Sequence, residues 1–241
     1  MPSSTMSDVR RDFTDRIQEI ENHFAFVTNL DDGTLQLTPA SGSVNASLDT
    51  ASWLKTLKAG CFLIMYNLVE STMRNAIQAI FDDLESNAVD FDTCRDEIRK
   101  IVLVNLRKAA LNELMPNLSR MSIDIVAKTF NKKEIFSGNV DDEHIRKVAR
   151  EYGFDKPRGN GSPLVAIRDN RNDLAHGNKS FDEVGKVYGM VQINQMHQHV
   201  KRYMVSLLNN VEDYIVTKKY LAVVLTPPAA TPSPPAAVQA A

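Results

Sequence analysis

The chain has 241 residues, a formal net charge of −2 and 43% hydrophobic residues, enough for one ordinary domain with a real core. The near-neutral charge excludes bulk electrostatic capture of nucleic acid, and two cysteines, Cys61 and Cys94, exclude a disulfide framework. No apolar run follows the charges of the start, MPSSTMSDVRRDF, so no secretory signal is expected; the richest apolar stretch, Cys61–Val69, is far short of the roughly 20 residues that cross a bilayer.

Residues 1–7 are expected to form a flexible N-terminus. From Asp8 to Phe26, apolar residues Val9, Phe13, Ile17, Ile20 and Phe24 recur at helical steps. Leu30–Ser47 carries Asp-Asp-Gly, Pro39 and Gly42 and is expected to be a loop or at most a small hairpin. Asp49 can cap a long helix to about Glu85, with Tyr66, Val69, Met73, Ile77, Ile80 and Leu84 on one face. Between Cys61 and Val69 this helix is apolar almost all round, which predicts a central position and a buried Cys61 thiol, fitting a reducing cytoplasm.

Further helices are expected over Cys94–Met115, stopped near Pro116, over Ser122–Phe130, and over Asp141–Tyr152 with Gly153 as its stop. Pro157–Ser162 is a glycine-rich loop. Ser162-Pro163 opens a helix to His176, ended by Gly177. Ser180 and Glu183 have the spacing of a capping box, and a last helix covers Val191–Leu221. Five of the ten prolines follow Thr226, so residues 222–241 are expected to be a disordered Pro/Ala-rich tail. The expected class is an all-α helical bundle over 8–221.

Charge is uneven along the chain. Residues 1–127 carry 12 basic and 18 acidic side chains, and residues 128–220 carry 16 and 12. A polyanion is therefore expected to meet the second half.

The Pro163–His176 helix departs from simple amphipathic order. Leu164, Ile167, Leu174 and Ala175 define its apolar side, yet Arg171 projects into the middle of that side. A guanidinium cannot escape burial by losing its proton, so Arg171 must snorkel, pair with an acid or face a cleft that takes an anion. His176 lies about 140° around the helix from Arg171. It occupies the last turn, where the helix dipole favours an imidazolium. Glu70 sits on the shoulder of the long helix's apolar stripe, and either Arg171 or Arg74, four residues on, can pair with it.

The string Arg171-Asn-Asp-Leu-Ala-His176-Gly177 resembles the signature of HEPN domains: an arginine, a polar residue, and a histidine after four to six intervening residues. Tyr66-Asn-Leu-Val-Glu70-Ser-Thr-Met-Arg-Asn-Ala-Ile77, Ser137-Gly-Asn-Val140, Tyr152-Gly153 and Asn178–Gly185 are similar to stand-alone bacterial members, so the resemblance covers about residues 8–220. It implies metal-independent RNA cleavage, with Arg171, Asn172 and His176 as catalytic residues lining a cleft shared by a homodimer. It also implies a toxin or antiviral defence role, with an antitoxin or defence-system partner. Glu70 and Asp173 are supporting candidates, and Lys156, Arg158, Arg168 and Lys179 are the basic residues expected to guide RNA.

No cofactor and no metal is expected. His197-Gln-His199 places its imidazoles on different faces of a helix, without a cysteine or carboxylate at ligand spacing. Two other readings stay open: a HEPN domain that binds RNA, a nucleotide or a partner protein without cutting, and a structural helical dimerisation module in which Arg171 merely pairs with Glu70.

Overall fold

The computed structural model describes residues 4–37, 49–108 and 139–222. Seven α-helices occur among them: α1 Ser4–Asp31, α2 Thr50–Ser86, α3 Asp96–Lys108, α4 Asp142–Tyr152, α5 Ser162–Ala175, α6 Phe181–Gly185 and α7 Met190–Val216. Within the same residues β pairing is limited to an isolated antiparallel bridge, Cys94 with Leu221. The all-α expectation holds. The expected Ser122–Phe130 helix, the end of the Cys94–Met115 helix, most of the Leu30–Ser47 loop and nearly all of the Pro/Ala-rich tail lie outside the described residues.

The helix α2 is the centre, packing against α1, α5, α6 and α7. Asp49 caps it as expected, its carboxylate accepting from the Ser52 amide at 3.1 Å. Cys61, Phe62, Met65, Tyr66, Leu68 and Val69 are all buried, because an almost all-round apolar segment is stable only when neighbours cover every side. Burial pushes the Cys61 thiol up to about 12 and Cys94 up to about 11, which disfavours the reactive thiolate at both.

Against α2, the helix α1 lays down Val9, Phe13, Ile17, Ile20 and Phe24, every one buried. Full burial of such a side chain is worth about 1.5–3 kcal/mol. Residues 4–7 of the expected flexible N-terminus instead belong to α1, which begins at Ser4, and Met6 is completely buried. Met6 continues the three- and four-residue stripe one step before Val9, so the same packing extends the helix.

At the other end, α7 stops at Val216 rather than near Leu221. No helix breaker marks this stop. Lys218 turns into the left-handed region at φ 51°, Tyr220 becomes fully buried, and its hydroxyl donates to the Asp83 carboxylate at 2.8 Å. The chain then pairs with the start of α3, the Arg95 amide donating to the Tyr220 carbonyl at 2.8 Å. A tertiary contact has overridden local helix propensity.

Short α6 packs tightly on α2. A Cβ at Gly185 would stand 1.9 Å from the Lys55 carbonyl oxygen, so only glycine permits this approach. Lys55 and Asp182 pair at 2.6 Å across the same contact. The Ser180–Glu183 capping box forms as expected. Together these hold the chain that leaves α5.

Candidate functional site

α5 begins at Ser162, one residue before the expected first position, with Gly161 as its N-cap. Only Leu164, Ile167 and Asn170 are buried along it. Leu174 is half-buried, while Ala175 is exposed. The expected apolar side thus fades over the last turn, where Ala175 and His176 are exposed. His176 is the C-cap residue and is exposed. Gly177 follows at φ +70°, a conformation that costs an L side chain strain but not glycine.

Arg171 is half-buried, as its place on the helix predicts. Its guanidinium carbon lies 4.5 Å from the centroid of the Tyr66 ring on α2, within cation–π range. Its Nη1 donates to the Asn172 side-chain oxygen at 2.9 Å. Asn172 in turn donates through Nδ2 to the Asn139 side-chain oxygen at 2.8 Å. The arginine plane is therefore set by an aromatic face and an amide relay, not by a flexible stem alone.

Tyr66 is the hub. Its hydroxyl accepts from the buried Val140 amide at 3.2 Å. Burial pushes that hydroxyl above its ordinary value; the Val140 hydrogen bond and the Arg171 charge oppose this, and the Glu70 carboxylate adds to it. Glu70 forms an ion pair with Arg74 at 2.5 Å, the local i,i+4 alternative. Tyr66 thus lies within electrostatic range of both Glu70 and Arg171.

The supporting and basic candidates separate into three places. Asp173 pairs with Lys179 at 2.6 Å, and its backbone carbonyl accepts from the Asn178 and Lys179 amides. The Lys179 hydrogen bond holds the Asp173 carboxyl below its usual range. These two residues thus tie down the turn after His176. Arg168 pairs with Asp141 and with Asp169, so its charge is locally neutralised and it links α5 to the start of α4. Lys156 and Arg158 are exposed, but they precede α5, whose 14 residues separate them from His176 by about 20 Å. The structure does not bring them to the motif.

Tyr66 and Asn139 are the site residues that sequence reasoning missed as such. A signal was present, since both lie in the two flanks that resemble bacterial HEPN proteins. Among the described residues no group of three His, Cys, Asp or Glu side chains is arranged to hold a metal ion, and no helix is long and apolar enough to cross a membrane.

No curated protein and no solved structure matches this chain. A family model for MAE_28990-like HEPN domains matches residues 6–220, a span that contains Tyr66, Asn139, Arg171, Asn172 and His176. The chain belongs to that HEPN family.

Proposed function

We propose that the chain is a metal-independent endoribonuclease, a toxin or antiviral effector, whose Arg171, Asn172 and His176 act at a cleft shared by two copies. The observation that carries this is one helix whose last turns carry an arginine held by Tyr66 and Asn172 and, at the C-cap, an exposed histidine. The HEPN membership supports it.

The chemistry follows from the side chains. Attack by the RNA 2′-hydroxyl on the adjacent phosphorus needs a base for the hydroxyl proton and an acid for the departing 5′-oxygen. Histidine titrates near neutrality and can do either, but one imidazole cannot do both at once. A second copy related by a twofold axis supplies the other. One His176 takes the 2′-proton while its partner's protonates the leaving oxygen. Arg171 stabilises charge gathering on the phosphorane, its fork of donors oriented by Tyr66 and Asn172. The exposed Ala175–His176 end of α5 is available for such pairing.

The test is labelled RNA incubated with purified protein in EDTA. Cleavage to 2′,3′-cyclic phosphate and 5′-hydroxyl ends is expected, with DNA untouched because it lacks the nucleophile. The Arg171→Ala, His176→Ala double variant should be inactive yet folded. Undiminished cutting by that variant, or RNA binding without cutting by the parent, refutes the nuclease reading.

A further inference from the structure

A concavity of about 700 Å³ lies between the Gly-rich loop before α5 and the face of α7, lined by Arg158, Asn160, His199, Arg202, Ser206 and Asn209 among others. No acidic residue lines it. Arg158 and Arg202 make no ion pair among the described residues, whereas Arg146, Arg168 and Lys219 nearby in the sequence are each held by carboxylates. Asp142, next to the concavity's Tyr203, is already engaged by Arg146 at 2.8 Å and by the Tyr203 hydroxyl.

The loop is fastened to α7 rather than merely resting on it. The Arg158 amide donates to the Ser206 hydroxyl at 2.9 Å. The Asn210 side chain donates to the Asp155 and Lys156 carbonyls at 2.9 and 3.0 Å, and Pro157 is buried. The loop's ordering entropy is thus spent in folding, and the Arg158 backbone is fixed at the concavity that Arg202 also lines before any ligand arrives. These residues also lie in the net-positive second half of the chain.

We propose that this concavity binds the phosphodiester backbone of single-stranded RNA, with Arg158 and Arg202 each taking a phosphate. The amides of Asn160 and Asn209 and the imidazole of His199 add polar contacts to backbone or base edges. This rests on the nuclease reading for its biological sense: it gives the substrate a second anchor, at the far end of α5 from His176. A strand held there spans several nucleotides before it reaches the cutting end. Two guanidiniums that line one concavity, with amide neighbours and no ion pair among the described residues, suit a repeating phosphate chain better than one isolated anion.

The test is fluorescence anisotropy of a fluorescein-labelled oligouridylate, in a His176→Ala background that prevents cutting. Loss of two arginine–phosphate contacts removes about 1.4 from the salt exponent, or roughly 25-fold in affinity at about 0.1 M salt. Arg158→Gln with Arg202→Gln should show that loss and that flatter salt dependence. Lys147→Gln with Arg150→Gln, exposed on α4 and equal in charge change, should retain affinity. Unchanged binding by the arginine pair, an equal loss in the control pair, or no binding by the parent overturns the proposal. So does displacement of RNA by polyglutamate as effectively as by unlabelled RNA, which marks a site for acidic protein. The two readings fail separately: arginine-dependent binding with no cutting by the native chain leaves the anchor and removes the nuclease, and cutting with arginine-independent binding does the reverse.

Discussion

Replacing Tyr66 separates two roles that this one side chain performs. Tyr66→Phe keeps the ring beneath Arg171, 4.5 Å from its guanidinium carbon, but deletes the acceptor of the Val140 amide. Val140 is 1% exposed, so water cannot readily replace the lost partner. An unsatisfied buried donor costs about 1–3 kcal/mol, or roughly 2–12 °C in Tm for a domain of this size. Tyr66→Leu adds the loss of the cation–π contact, about 0.5–2 kcal/mol, and leaves Arg171 without its platform. Urea unfolding should place both variants below the parent. RNA cleavage should distinguish them: Tyr66→Phe retains kcat at a temperature where it is folded, whereas Tyr66→Leu loses kcat with little change in KM. Rescue by the phenylalanine is the signature of a positioning residue. Parent-like stability of Tyr66→Phe would remove the Val140 hydrogen bond from the account. Parent-like kcat in Tyr66→Leu would remove the ring.

Two further outcomes follow from local geometry. Gly177→Ala meets no atom within 4 Å, so its cost is conformational, about 1–2 kcal/mol for a left-handed L residue; Gly177→Asn should recover part of it in the same urea assay, and an unaffected alanine variant would show that the turn is not fixed. His197 is 2% exposed, its Nε2 has no hydrogen-bond partner among the described residues, and its ring lies 5.1 Å from Phe24. Burial holds its pKa below the ordinary 6.5, with Glu21 opposing this and Lys201 adding to it. The unfolded chain therefore binds this proton first. The stabilisation is present above about pH 6.5 and is lost as pH falls toward the folded value, at no more than about 1.4 kcal/mol per pH unit. His197→Leu should weaken the acid sensitivity between pH 7 and pH 5, measured as the difference in urea midpoints, and an unchanged difference would contradict the burial argument.

Much of the fold is legible because its main signals are local and periodic. The stripes Val9–Phe24 on α1 and Tyr66–Leu84 on α2 recur at helical steps, and each named residue is buried. Asp49, Gly153 and the Ser180–Glu183 pair mark helix ends through chemistry confined to one turn. The end of α7 is not legible in this way. It depends on Tyr220 reaching Asp83, a residue 137 positions away, and no window of local sequence contains both partners.

The candidate site divides along the same line. Arg171 is conspicuous in the sequence because a permanent charge interrupts an apolar face, and in the structure its guanidinium lies against the Tyr66 ring at cation–π distance. From sequence geometry Arg171 can snorkel, pair with an acid or face an anion, and Glu70 can pair with Arg171 or Arg74; Glu70 forms the i,i+4 pair with Arg74. Likewise Lys156 and Arg158, expected to guide RNA, precede α5, and a helix converts its 14 residues into about 20 Å of separation from His176. Basic residues that cannot reach His176 either have no share in binding RNA or hold it elsewhere. The loop clamped by Ser206 and Asn210, and the unpaired Arg202 beside it, favour the second alternative. Arg158, expected from the sequence to guide RNA, is then one side of the proposed anchor rather than a neighbour of His176.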